Sequence, residues 1–169
     1  MTDPVADCAQ LSPTFGPADP SADLVIARHF YQLWRDNSVA EADILPDWQR
    51  QVQAFIATAR RDLGFQAFVA EVDGQIVGSA SCQRFAGLYP LVLAPTQRDY
   101  GYIWGVYVEP AYRRRGLARQ LTQMAADHLK TIGCTHALLH ASPSGKPVYA
   151  QLGFLPTNEM RLDLRADPP

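Results

Sequence analysis

The segment from Tyr100 to Ile132 constrains the fold more than any other part of the chain. It begins with aromatic and β-branched residues up to Glu109, which predict a strand that stops at Pro110, because proline has no N–H for a ladder. An arginine-rich turn follows, and from Gly116 to near Gly133 apolar residues recur at the helical period. A strand that leads through a turn into an amphipathic helix predicts helices packed on a sheet.

Before this segment, the sequence predicts two helices and a hairpin. A first helix, capped by Ser21, should run to about Asn37, and a second should follow Pro46 and end near Gly64. Residues 65–72 and 75–83 are β-rich, and the Asp73-Gly74 dipeptide between them favours a two-residue turn. The stretch from Phe85 to Arg98, with Pro90 and Pro95, should be a connection or an irregular strand over the surface.

After it, we expect a buried strand from His136 to His140, a short helix from Pro147 to Leu152, and a last strand from Met160 to Leu164. The sequence shows no internal repeat. This order of elements predicts an α/β (α+β) domain with a central mixed β-sheet flanked by helices.

The length of 169 residues suits one domain. Four prolines among the first twenty residues predict a flexible tail at 1–20, before a single domain at 21–169. No apolar run is long enough to span a bilayer, and residues 1–20 lack the basic and apolar regions of a secretory signal, so a cytoplasmic location without a membrane partner is expected.

Two further classes of partner are disfavoured by composition. The three cysteines, Cys8, Cys82 and Cys134, are odd in number and form no CxxC pair, so we expect neither a disulfide framework nor a metal site. A net charge of −2 argues against a nucleic-acid partner, since binding to phosphates needs a surplus of Lys and Arg.

The turn before the predicted helix has the features of an anion site. The first amides of a helix have no intrahelical acceptors and lie at the positive end of its dipole, and Gly116 and Ala118 would let a phosphate approach them. Four arginines could add charge there: Arg113, Arg114, Arg115 and Arg119. The spacing fits neither a P-loop nor a GxGxxG dinucleotide site. The alternative is a solvated basic turn before an ordinary helix.

Two motifs carry a family resemblance. Residues 106–118, VYVEPAYRRRGLA, resemble the acetyl-CoA signature of the GNAT superfamily of acyl-CoA-dependent N-acyltransferases, Arg/Gln-x-x-Gly-x-Gly/Ala after a V-x-V-x-P strand end. Residues 148–154, VYAQLGF, resemble its second signature, in which Gly-Phe follows a tyrosine. The resemblance covers about Phe65 to Leu164 and implies a GNAT-like fold.

The resemblance also implies roles for single residues. The backbone of Val106 and Val108 would pair with the pantetheine of acetyl-CoA, the co-substrate, and an N–H near Tyr107 or Val108 would meet the oxyanion. Tyr149 would protonate the departing thiolate. The implied pyrophosphate-binding residues are Arg113, Arg114, Arg115, Gly116, Leu117, Ala118 and Arg119. Ser142 stands where many members have an asparagine that touches the co-substrate.

The expected activity is transfer of an acetyl or short acyl group to a primary amine by direct attack on the thioester. An acyl-CoA-binding sensor or assembly module without turnover is the alternative, and an anion-binding protein is a third. The acceptor is open between a small amine, an amino acid, an antibiotic and a protein terminus. Many proteins of the family pair, so a homodimer is also left open.

The general base and the acceptor site are less well defined. Ala137 stands where some members carry a glutamate base. The remaining candidates are Glu109, Glu159, Asp99, His140 and a water chain ordered by Tyr100 or Tyr102. The acceptor site should lie between the two early helices, the loop after the hairpin and residues 149–160. Its aromatic candidates are Trp34, Trp48, Phe85, Tyr89, Tyr100 and Trp104.

Overall fold

A five-stranded sheet forms the centre of the protein. A computed structural model describes residues 12–87, 90 and 92–163. The strands are β1 (Thr14–Pro17), β2 (Gln66–Val72), β3 (Gln75–Arg84), β4 (Tyr100–Val108) and β5 (His136–Leu138), and they lie in that order across the sheet. Neighbouring strands are antiparallel from β1 to β4, whereas β5 runs parallel to β4. The prediction of a mixed sheet flanked by helices is confirmed.

The helices cover both faces of this sheet. They are α1 (Asp23–Asp36), α2 (Trp48–Asp62), α3 (Leu117–Thr131) and α4 (Lys146–Gln151). Helices α1 and α2 pack on one face, where Ile26 and Ile56 are fully buried. Helix α3 packs on the other face through Leu121 and Leu129. No helix in the described ranges is long and apolar enough to cross a membrane.

The hairpin of β2 and β3 forms as the sequence predicts. Asp73 and Gly74 both have positive φ angles, +51° and +72°, which the two central residues of a type I′ turn require. The turn pairs Val72 with Gln75 and so sets the register at this end of the hairpin. Its strands provide the centre of the sheet.

Strand β4 contains a bulge, which changes which of its side chains point to the α1 and α2 side. Ser79 stands opposite Tyr107 and Ser81 opposite Trp104, so two residues of β4, Gly105 and Val106, oppose one residue of β3. Gly105 has φ = +62°, a conformation that suits a glycine in a bulge. Trp104 and Tyr107 therefore both lie on the α1 and α2 side.

The N-terminal expectations need correction. Residues 14–17 are not a loose tail, because Thr14–Pro17 forms β1 and pairs with Phe68–Glu71 of β2. Residues 1–11 lie outside the described residues. Ser21 does not cap α1: it lies in a turn of 3₁₀ helix, Pro20–Ala22, before α1, and its own N–H donates at 2.7 Å to the side chain of Asp19, which caps that turn.

The C-terminal strands also differ from expectation. β5 spans three residues and is not buried, since it pairs with β4 on one side only and His136 is exposed. Residues 160–163 form no strand, and Leu164 lies outside the described part of the chain. Met160 and Leu162 are 95% and 78% exposed. Alternating apolar residues predict a strand, but a strand also needs a ladder partner, and these residues have none in the described chain.

Candidate active site

A gap opens in the sheet where β4 and β5 part. β5 pairs only with Tyr100, Gly101 and Tyr102, and in the described chain no strand pairs with the same edge of β4 beyond them. The Glu109 N–H donates to Val77 O at 2.8 Å, on the β3 side. Because successive residues of a strand point their backbone groups to opposite edges, those of Val108 face the gap. Val106 belongs to the bulge, where this alternation is interrupted. This edge can pair with an extended amide-bearing ligand.

Tyr107 and Arg113 have other contacts. Tyr107 stands opposite Ser79, in phase with the Glu109 to Val77 bond, so its backbone N–H faces β3 rather than the gap. Arg113 Nε donates to Val108 O at 2.8 Å, and its Nη2 lies 2.5 Å from the Asp36 carboxylate. The guanidinium also covers the Tyr107 ring at 5.5 Å. Arg113 thus ties the end of α1 to the end of β4, and Val108 presents the N–H that faces the gap.

The turn between β4 and α3 is exposed and conformationally unusual. Arg114 and Gly116 have φ angles of +59° and +82°, and Gly116 is the N-cap of α3. A Cβ at Gly116 would meet no atom within 4 Å, so the space beside it is open. Leu117 is buried in the core and anchors the first turn. No side chain in the described ranges caps α3, so its first amides follow this exposed turn without a capping partner, as an anion site requires.

Tyr149 packs on the loop before α4. A Cβ at Gly145 would lie 2.8 Å from Tyr149 Cε2, so the ring rests directly on this glycine. The ring centroid of Phe154 is 6.0 Å away. Burial raises the pKa of the Tyr149 phenol, which keeps its proton in place until charge develops beside it. Ser142 Oγ accepts the Gly145 N–H at 3.2 Å, so its hydroxyl already holds this loop.

Tyr102, His140 and Glu159, which are among the candidates for the general base or its water chain, form one hydrogen-bonded chain. The Tyr102 hydroxyl bonds to His140 Nδ1, and His140 Nε2 lies 3.0 Å from Glu159 Oε1. Phe85 stacks on Tyr102 with centroids 5.4 Å apart. Burial raises the pKa of Tyr102, and the nearby Glu159 carboxylate adds to this effect. The chain, which we call the Tyr102 relay, starts where β4 and β5 part.

The other candidates for the base have separate partners. Asp99 forms an ion pair with Arg84. Glu109 Oε1 lies 3.6 Å from Nε2 of the fully buried His29, whose Nδ1 bonds to Ser79 Oγ at 2.9 Å. Burial lowers the pKa of His29 to about 4, so it is neutral at physiological pH. Tyr100 packs edge-on against His136.

An aromatic cavity, lined by Phe30, Tyr31, Trp34 and Trp48, lies between α1 and α2 and has a volume of about 370 Å³. It contains two of the predicted aromatic residues. Phe30 links it to β4, since its ring is 5.2 Å from Trp104. The helical spacing of Phe30, Tyr31 and Trp34 gave no signal that they line a cavity, because core residues have the same spacing.

The remaining aromatic candidates lie elsewhere or go undescribed. Phe85 and Tyr100 contact Tyr102 and His136 and do not line the cavity. Tyr89 lies outside the described residues.

Cys82 is fully buried, and burial raises its pKa to about 12, which rules it out as a thiolate nucleophile at neutral pH. Burial also raises the pKa of Cys134.

Known proteins resemble this chain in sequence and in fold. Residues 27–154 match the Acetyltransferase (GNAT) family. A glucosamine 6-phosphate N-acetyltransferase from Trypanosoma brucei brucei is 35% identical over 118 residues, which cover 66% of this chain and 74% of the relative. The crystal structure of a GCN5-related N-acetyltransferase from Ralstonia eutropha JMP134 has a TM-score of 0.78 at 22% identity, covering 92% of this chain and 100% of that chain.

A predicted acetyltransferase from Clostridium acetobutylicum, crystallised with acetyl-CoA, has a TM-score of 0.77 at 22% identity, covering 91% of this chain and 97% of that chain. These structural likenesses bear on the fold. The family match spans most of the chain, from α1 through β4, the turn and α3 to Phe154, and includes both signature motifs. The chain therefore belongs to the GNAT acetyltransferase family, and it is an N-acetyltransferase.

Proposed function

We propose that the protein transfers an acetyl group from acetyl-CoA to a primary amine that attacks the thioester directly, with the co-substrate lying in the gap between β4 and β5. The observation that carries this proposal is the unpaired edge of β4 leading into the open turn at Gly116. One end offers strand-like pairing for amides, and the other offers free helix amides for phosphates. Acetyl-CoA carries both groups, connected by an extended arm.

The turn holds the pyrophosphate mainly through its backbone. Gly116, Leu117 and Ala118 contribute the amides, and the exposed side chains of Arg114, Arg115 and Arg119 add charge. The Arg113 guanidinium is held by Asp36 and Val108 O, so it makes no phosphate contact in the proposed complex. Ser142 orders the Gly145 loop, which makes its part in co-substrate binding indirect.

Transfer needs a proton acceptor for the amine and a proton donor for the sulfur. Tyr102 takes the ammonium proton while its own proton passes to His140 Nδ1, and Glu159 stabilises the resulting imidazolium. The free amine forms the new C–N bond, and the Val108 N–H stabilises the carbonyl oxygen. As the C–S bond breaks, Tyr149 gives its proton to the thiolate. The products are the N-acetylated amine and CoA.

The test combines binding and turnover. Acetyl-CoA should raise the melting temperature, because a ligand of the native state stabilises it. With a panel of primary amines, free thiol should be released, and Tyr149→Phe should lower kcat by about 10²-fold while leaving the KM for acetyl-CoA nearly unchanged. Binding without thiol release for every amine would favour an acyl-CoA sensor. An unchanged kcat in Tyr149→Phe would refute the role of Tyr149 as the acid.

A further inference from the structure

We propose that the aromatic cavity binds the body of the acceptor, and that this acceptor is an arylalkylamine, an amine on a short chain that ends in an aromatic ring. The inference rests on the proposed function and identifies its substrate class. It depends on four features of the cavity: its position beside β4, the side chains that line it, the apolar surface it leaves open, and its charge.

The cavity adjoins the part of β4 where transfer would occur. Phe30 packs against Trp104 at 5.2 Å, and a Cβ on Gly105 would lie 3.6 Å from Phe30 Cδ2. Tyr102 and Trp104 are two residues apart on one strand, before the bulge, so both side chains point to the α1 and α2 side. Phe30 thus joins the cavity to the face of β4 that carries Tyr102, and the proposed amine extends from the cavity along this face.

The lining is suited to an aromatic ring. Eight of the ten lining residues are apolar or aromatic. Tyr31 and Trp48 stack with centroids 4.7 Å apart, and Phe30 meets Trp34 edge-on at 5.9 Å. These ring arrangements leave aromatic faces and edges for a further ring to join. The volume of about 370 Å³ lies toward the small end of ligand sites, which suits a one-ring or two-ring amine.

Two of the lining residues leave apolar surface open to solvent. Trp34 is 44% exposed and Leu45 is 63% exposed. A cluster of large apolar side chains around an open concavity is typical of a binding site, whereas a hydrophobic core buries such side chains. An aromatic ligand would cover this surface, and the gain from its burial would contribute to affinity.

The charge of the cavity disfavours a phosphate inside it. Asp43 and Gln51 are the polar residues among those that line it, and Asp43 is the charged one; Arg, Lys and His are absent from the described lining. A phosphate needs cationic partners, and Asp43 would repel it. The phosphate of glucosamine 6-phosphate, the acceptor named for the relative from Trypanosoma brucei brucei, would therefore meet a carboxylate and no cationic side chain in the described lining.

The experiment compares two acceptors, 2-phenylethylamine and glucosamine 6-phosphate, by thiol release from acetyl-CoA. We expect kcat/KM to be at least about tenfold higher for 2-phenylethylamine, since burying one ring contributes more than this factor. Trp34→Ala should raise the KM for 2-phenylethylamine about tenfold and leave the KM for acetyl-CoA within about twofold. Leu24→Ala is the matched control, because Leu24 lies on the same helix, is 49% exposed and does not line the cavity.

A binding measurement separates this inference from the proposed function. Tryptophan fluorescence should change saturably with 2-phenylethylamine in the wild-type protein and in Leu24→Ala, with weaker binding in Trp34→Ala. A preference for glucosamine 6-phosphate, or equal KM values in Trp34→Ala and the wild type, would overturn the inference and leave acetyl transfer intact. If no amine releases thiol, the proposed function fails. In that case saturable, Trp34-dependent binding would still support the cavity, and its absence would overturn it.

Discussion

Two glycines and a buried histidine illustrate how single residues determine this site. Gly116 provides a left-handed conformation at the start of α3, and Gly145 provides the surface on which the Tyr149 ring lies. His29 has no direct part in the proposed chemistry, but it holds Ser79 and approaches Glu109 beneath the end of β4. Backbone conformation, close approach and burial thus matter here alongside charge.

Gly116→Val should weaken acetyl-CoA binding more than Arg119→Ala does. Valine at φ = +82° costs about 1–2 kcal/mol and places methyl groups in the open space beside the helix amides. We expect the Kd for acetyl-CoA, measured by titration calorimetry, to rise more than about tenfold, against a few-fold for the loss of one arginine near the helix end.

Gly133→Val is the matched control for this change. Gly133 lies at the other end of α3 with φ = +90°, and a Cβ there would also meet no atom within 4 Å. It should lose stability to strain but keep its affinity for acetyl-CoA. Equal, small effects of Gly116→Val and Arg119→Ala on the Kd would contradict the proposed backbone site.

Acid should destabilise the protein through His29. Its pKa is lowered from 6.5 to about 4 on folding, so the unfolded chain binds a proton more readily over this range. The free energy of unfolding therefore falls as the pH drops from 6.5 to about 4, by about 3 kcal/mol from this residue. Denaturant titrations across this range should show that His29→Gln loses less stability than the wild type. The same pH dependence in both proteins would show that His29 does not contribute.

At the scale of elements, β4 connects the parts of the site. Its first three residues pair with β5, its bulge at Gly105 lies against Phe30, and its end leads into the turn at Gly116. The sequence predicted this strand, the turn and α3 well, because Pro110 and the helical period set their limits. It also predicted the β2 and β3 hairpin, because Asp73-Gly74 allows few other turns.

Other elements could not be predicted because they depend on neighbours in space. The TFGP sequence of β1 contains glycine and proline, which are poor strand formers, and its conformation comes from pairing with β2. Residues 160–163 show the reverse case: their alternating apolar pattern predicts a strand, but they form none. The sequence predicted an aromatic-lined site that includes Trp34 and Trp48, and both residues line the cavity. Helical spacing could not show that Phe30 and Tyr31 also line it, because core residues have the same spacing.

The Tyr102 relay joins β4 to the segments after β5, and its loss should impair catalysis. Tyr102→Phe removes the hydroxyl that bonds to His140 Nδ1, and we expect kcat/KM to fall about 10²-fold near neutral pH. The defect should shrink at high pH, where the amine is already deprotonated in solution. Tyr100→Phe is the control, since it lies on the same face of the strand and contacts His136 instead. If both variants keep full activity, the relay is not the proton acceptor.

In the whole molecule, the proposed co-substrate site and the aromatic cavity are formed by helices on opposite faces of the sheet. Helix α3 packs behind the sheet and presents its N-terminal amides at the end of β4. Helices α1 and α2 form the aromatic cavity on the other face. In the proposed mechanism, a thioester held in the gap between β4 and β5 meets an amine bound on the α1 and α2 side. This mechanism requires direct transfer in one complex.

The most direct test of this account is the initial rate of thiol release with acetyl-CoA and an amine varied together. Direct attack requires both substrates to be bound at once, so double-reciprocal plots should intersect and release should depend on the amine. Parallel lines would indicate an acetylated enzyme, as in ping-pong kinetics, and would contradict direct attack. The absence of any amine-dependent release would contradict the account as a whole.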